Sequence, residues 1–288
     1  MSFDPRLDAR QRRSLVLAGV FLAATMFGLL VLVVLLVDVF VKGRAWLDGQ
    51  FLTSFMSFEP ERAGIRSAFV GSLYLMLLTT FIAVPVGVGA AIWLEEYAPR
   101  GWVLRLVQLN IANLAGVPSV LYGILGLALF VRALAFERSL IAGACTMALL
   151  VLPVIVISTQ EALRAVPQGL RESAYALGAT RWQVIRHHLL PVAAPGILTG
   201  VILALSRAVG ETAPLIVIGG FVFIAFSPQS LLDPFTALPI QVFNWTSLPQ
   251  ADFRGLAATA IVVLMTMMLL LNAAAIVLRN RFEKSIPR

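Results

Sequence analysis

An all-α protein that crosses a membrane six times is the fold class this sequence predicts, and three observations carry it. Hydrophobic residues make up 59% of the 288, charged residues only 13%, and the mean hydropathy is +0.91. Soluble domains carry about 25% charge. The apolar residues gather into six runs, each near the roughly 20 residues a helix needs to span the hydrocarbon core. No run alternates with the period of two that a membrane barrel requires, so helices must satisfy the backbone. So little charge excludes a soluble globule and a disordered chain. A single cysteine excludes a disulfide scaffold.

The elements follow in order. Arg6, Arg10, Arg12 and Arg13 precede the first run, 14–41. It is about twice the roughly 7–15 residues of a cleavable signal core, so it reads as a retained helix. A polar segment, 42–66, carries Trp46, Phe51, Phe55 and Phe58. The second run, 68–94, is interrupted by Pro85, Gly87 and Gly89, and a charged turn with Glu95, Glu96, Pro99, Arg100 and Arg105 leads to the third, 109–131. Arg132, Glu137 and Arg138 mark the turn to the fourth, 140–157. A polar stretch, 158–191, precedes the fifth run, 192–224; a Pro-rich stretch, 225–254, precedes the sixth, 256–278. The chain thus divides into a terminus of 13 residues, a first helix, the segment 42–66, a core of five helices over 67–279, and a tail, 280–288.

Charge orients the helices. The side holding the N-terminus carries 14 of the 22 Lys and Arg, the opposite side 7, and Arg207 lies inside the fifth run. The excess places both termini and segment 158–191 in the cytoplasm, and 42–66 and 225–254 on the periplasmic side. It also accounts for the net charge of +7. No basic run is interleaved with exposed aromatics, and no nucleic acid is expected as a partner.

Segment 158–191 predicts two short helices and a turn. Pro167 suits a first helical turn. Gln168 to Leu177 are good helix formers, and Gly178 is placed to stop them. Thr180 with Gln183 three residues on has capping-box spacing for a second helix, ending near Leu190, with Pro191 at its junction with the fifth run. Leu170, Ala174 and Leu177 share one stripe; Arg171, Glu172 and Tyr175 face elsewhere. Two readings fit: docking to a protein, or an amphipathic loop at the lipid headgroups.

The fifth run holds Arg207 and Glu211, four residues apart and so on one helical face. A charge near the bilayer centre costs roughly 2.5–3.5 kcal/mol. Two readings stand: an internal ion pair, or the lining of a substrate path, where an arginine fork suits phosphate or sulfate oxygens. Ser206 and Thr212 add hydroxyls, and Gly210 and Pro214 loosen the helix. His187 and His188, adjacent and so about 100° apart on a helix, make a poor metal pair; no metal site is expected. Cys145 reads as packing, and Asn113, Ser119 and Tyr122 as pore lining or helix–helix hydrogen bonding.

Four stretches carry a resemblance. Glu172-Ser173-Ala174, three residues, Gly178, then Leu190-Pro191 resembles the cytoplasmic loop signature E-A-A-x3-G-x9-I-x-L-P of ABC importer permeases, with Ser173 for the middle alanine and His188 for the usual isoleucine. Arg207-Ala208-Val209-Gly210-Glu211-Thr212-Ala213-Pro214-Leu215 resembles the R-x-x-G-E-T-A-P-L element of phosphate importer permeases. Asn113 to Gly123 (NLAGVPSVLYG) and Ala237 to Trp245 (ALPIQVFNW) resemble further elements of the same family. From about residue 68 onward the chain resembles the PstA-type permease subunit of the phosphate ABC importer.

The resemblance implies a type I ABC importer permease fold in a bacterial inner membrane. It implies a PstC-type sister permease, a PstB-type ATPase dimer and a PstS-type periplasmic binding protein. Glu172, Ala174 and Gly178 would meet the ATPase; Arg207, Glu211, Thr212 and Ser206 would line the phosphate path, with Asn113, Ser119 and Tyr122 nearby. The chain has no G-x4-G-K-[ST] loop. It is therefore expected to be no enzyme by itself and to hold no cofactor, with ATP-Mg on the partner ATPase. The competing readings are a permease for sulfate or molybdate, and an ion-coupled secondary transporter.

Overall fold

The computed structural model describes residues 5–220 and 223–284. Residues 1–4 and 285–288 of the two predicted cytoplasmic termini, and 221–222 of the predicted fifth span, lie outside the described residues. Five helical stretches are long and apolar enough to cross a membrane, and one bent pair makes a sixth. No strand occurs among the described residues.

Helix α1 (Pro5–Gly43) stands mostly apart, its apolar side chains exposed. Its C-terminal end docks on the last helix, α12 (Ala251–Lys284), where the Thr259 hydroxyl donates to the Gly43 carbonyl at 2.7 Å. The short α2 (Gly49–Thr53) is capped by the Asp48 carboxylate, which accepts from the Phe51 N–H at 2.7 Å. Helix α3 (Arg66–Ile92) widens into a π turn, Trp93–Tyr97. Helices α4 (Trp102–Ala115) and α5 (Ser119–Gly126) follow, the latter continued by a π turn to Ala133. Helix α6 (Leu140–Arg164) is the most enclosed span and packs on α3, α4, α5 and on α9 (Leu190–Val209). Lipid is as apolar as a side chain, so van der Waals contact between small residues must hold such helices together. α6 meets that demand with buried Ala142, Ala144 and Ala148, and α9 crosses it where Gly196 and Gly200 face Ala162 and Ser158.

The third span is not the single helix expected over 109–131. α4 and α5 meet at 105°, with Gly116 closing α4 and Pro118 opening α5. A proline withholds a helical donor and drives the residue before it out of the α region. The fourth span runs past residue 157 to Arg164, because nothing forbids the helix until Pro167. The fifth run also breaks. Helix runs from α8 (Arg181–Val184) through a π turn, Ile185–Leu189, into α9 and stops at Val209. After Gly210, Glu211 and Thr212 a separate α10 (Ala213–Ile218) begins. Pro191, expected as a junction, lies inside continuous helix, and the preceding π turn makes room for its ring.

The stretch expected to face outward, 225–254, also folds back. Residues 235–241 are buried, and the Leu238 N–H donates to Ser72 Oγ of α3 at 2.8 Å. Helix α11 (Leu238–Ser247) follows, anchored by Trp245 between Phe51 and Phe253.

Candidate functional site

Two broken spans meet at the site. α5 begins after Pro118 and α10 after Thr212, and the two short helices pack on each other. They approach so closely that a Cβ on Gly123 would lie 2.7 Å from Pro214 Cα. Gly123→Val should therefore force the pair apart and cost about 1–3 kcal/mol of stability, the range for overpacking; the melting temperature of the purified protein in detergent checks it. Tyr122, buried beside Gly123, donates its hydroxyl to the Leu114 carbonyl at 2.8 Å. That carbonyl belongs to the last turn of α4, where it also accepts from the Val117 N–H at 3.1 Å. Tyr122 thus braces the 105° bend.

Arg207 stands in the last turn of α9, where a cation complements the helix dipole. It lies within electrostatic reach of Tyr122. Its Nε is 3.3 Å from Glu211 Oε1. The pair does not lie on one continuous helix, as expected, but across the end of one. Gly210 and Glu211 close that end with N–H bonds to the carbonyls of Arg207 and Ala208. The side chain of Arg207 is 54% exposed and that of Glu211 18%. The arginine therefore presents the two terminal nitrogens of its fork outward, without a hydrogen-bond partner among the described residues.

The other expected residues fall differently. Thr212 is half-buried at the cap of α10 and makes no capping bond. Asn113, in the last turn of α4, is exposed and Ser119, first in α5, half-buried; with Tyr122 they surround the bend. Ser206 is turned away from the guanidinium side: its hydroxyl lies 2.6 Å from the Ile202 carbonyl and against the Asn272 side-chain oxygen of α12. One hydroxyl proton spent there braces α9 against α12, a role that makes Asn272 a partner the sequence did not single out.

Segment 158–191 folds as a hairpin with a cap on each side of its turn. α7 (Gln168–Ala176) closes with Leu177, and Gly178 takes φ +82. The Gly178 N–H bonds to the Tyr175 carbonyl at 2.9 Å and the Ala179 N–H to that of Ala174 at 3.1 Å, a complete Schellman closure. Thr180 and Gln183 form the capping box that starts α8. Ala174, expected at the ATPase contact, is only 4% exposed and packs in the core cluster of its own chain. Leu177 leaves the predicted stripe and is 90% exposed, because the helix has ended and its side chain projects from the tip. Glu172 is exposed beside it.

The hairpin is gripped by the π turn at the end of α3, which the sequence reading passed over as a charged turn. Glu95 pairs with Arg164 Nη2 at 2.8 Å, Glu96 with Arg171 Nη1 at 2.7 Å, and the Tyr97 ring lies 5.4 Å from the Arg181 guanidinium carbon. Two acids directly after a span, on the side richest in arginine, were the available signal.

Comparison with known proteins agrees with this architecture. The family described as binding-protein-dependent transport system inner membrane component matches residues 83–286. The probable ABC transporter permease protein YqgI of Bacillus subtilis is 33% identical over 274 residues, covering 88% of this chain and 92% of that protein. The phosphate transport system permease protein PstA of Xylella fastidiosa is 34% identical over 268 residues, covering 91% of each. The fold resembles a chain of a bacterial alginate ABC transporter crystallised with its alginate-bound periplasmic protein, at TM-score 0.67 and 17% identity over 94% of this chain and 96% of that one. With its matched core, its bent third span and its hairpin between the fourth and fifth spans, this chain belongs to the multi-pass inner membrane components of binding-protein-dependent transport systems.

Proposed function

We propose that this chain is a PstA-type subunit of an importer that moves inorganic phosphate from periplasm to cytoplasm by alternating access, driven by ATP hydrolysed on a partner. The observation that carries the reading is the half-exposed Arg207 fork beside the junction of two broken spans, whose two terminal nitrogens have no hydrogen-bond partner among the described residues and so are open to a passing anion. Relatives named as phosphate permeases support the choice of cargo. A PstC-type permease would face this chain across the pore, a PstB-type ATPase dimer with its ATP-Mg would receive the α7–α8 hairpin, and a PstS-type protein would deliver the anion. The arginine asymmetry supports cytoplasmic termini.

In this mechanism ATP-driven closure of the ATPases draws the hairpins together and opens the pore outward; hydrolysis resets it. Arg207 offers a transient cation, Thr212 a hydroxyl, and Glu211 limits how long the anion stays by holding part of the arginine's charge. Phosphate uptake into vesicles carrying the complete complex tests the reading. Uptake that needs ATP and resists excess sulfate is expected; equal competition by sulfate or molybdate, or uptake without the ATPase, would overturn it. Glu211→Gln frees the whole fork: phosphate should bind about tenfold tighter and turn over more slowly, since one charge interaction is worth about 1–2 kcal/mol here. KM and kcat for uptake check it.

A further inference from the structure

Three successive residues of one π turn each hold a basic side chain from a different piece of the cytoplasmic segment. Glu95 takes Arg164, the last residue of α6; Glu96 takes Arg171 of α7; Tyr97 takes Arg181, the first residue of α8. The turn is the terminal piece of α3, and α3 packs along α6 and reaches α9 and α11. A single rigid span therefore ends in a socket that touches the hairpin's root, its first helix and its second helix.

The middle contact is the most enclosed. The Glu96 side chain is 7% exposed. Arg171 also donates through Nη2 to the Leu163 carbonyl at 2.8 Å, at the end of α6, where the Val166 N–H reaches the same oxygen at 3.3 Å. Arg171 Nε and Glu96 Oε1 are both buried without a hydrogen bond among the described residues, so the 2.7 Å ion pair is close without being aligned as a hydrogen bond. An enclosed pair that leaves one of its own donors unused is held by position, not by saturation of its hydrogen bonds, and another register of α7 against the turn would change its partners. π turns are rare and are found mostly at functional sites.

We propose that the turn Trp93–Tyr97 is the receiver of the motor's stroke: it takes up displacement of the α7–α8 hairpin through Glu96 and Arg171 and passes it to α3, which moves the pore. This rests on the importer reading above. Glu95, Glu96 and Tyr97 are positioning residues; none touches phosphate or nucleotide. A contact that only stabilised the fold would lower the amount of complex. A contact that transmits motion sets how much phosphate moves per ATP.

The test is the ratio of phosphate imported to ATP hydrolysed in vesicles carrying the complete complex, wild type against Glu96→Gln. With the complex assembled, ATP hydrolysis stimulated by the loaded binding protein should persist, and the ratio should fall about tenfold, within the range for substitutions along coupling networks. An assembled Glu96→Gln complex with the wild-type ratio overturns the proposal. Should Glu96→Gln fail to assemble, Tyr97 decides: Tyr97→Leu loses the face that Arg181 rests on and should lower the ratio, whereas Tyr97→Phe keeps it and should not. Equal ratios for the two overturn the proposal. A wild-type complex that moves no phosphate would instead refute the importer reading, so the two failures are separable.

Discussion

An assembled transporter carrying Arg207→Gln should take up phosphate about 100-fold more slowly than wild type. The fork supplies charge-assisted hydrogen bonds, each worth about 1.5–3 kcal/mol, and glutamine replaces neither the charge nor the paired geometry. Arg207→Lys keeps a point charge and loses the planar fork, so its deficit should be intermediate, about tenfold. The fold itself should tolerate both, because the side chain is half-exposed and its one side-chain hydrogen bond among the described residues is with Glu211 at 3.3 Å. Labelled-phosphate uptake, scored only in complexes from which the ATPase co-purifies, measures the effect. Normal uptake by such a complex would take Arg207 out of the anion path.

The second large effect is expected at Gly178→Val. A Cβ there would meet nothing within 4 Å, so no clash is created. The cost comes from the backbone: φ is +82, a left-handed conformation that costs an ordinary residue about 1–2 kcal/mol and a β-branched one more. Valine would open the Schellman closure, and the angle between α7 and α8 would be lost. Uptake should fall about tenfold or more, and the ATPase should bind less firmly. Asparagine tolerates left-handed backbone, so Gly178→Asn should keep most of both. The pair of variants, compared by co-purification and uptake, separates conformation from bulk.

Much of this was legible along the chain. The spans follow from apolar length, and the hairpin's two caps follow from Gly178, Thr180 and Gln183, because caps are local chemistry. The bend at Gly116–Pro118 and the break at Gly210–Thr212 lie inside continuous apolar runs, and only Gly210 and Pro214 carried a sign of loosening; hydropathy measures length and is blind to direction. The burial of Ala174 in its own chain was hidden for a related reason. The stripe it shares with Leu170 identifies an apolar face, and periodicity does not say whether that face meets a partner or its own chain. The contacts Glu95–Arg164 and Ser206–Asn272 join residues more than sixty positions apart, and no local pattern announces them.

The junction of α5 and α10 has a thermal consequence. Each is a separate short helix, so separating them breaks no helical hydrogen bond; it draws Gly123 away from Pro214 and gives up close van der Waals contact. In lipid that contact is what holds helices together, and its loss costs enthalpy. The steepness with which import rises on warming then has a second source beside bond cleavage at the nucleotide.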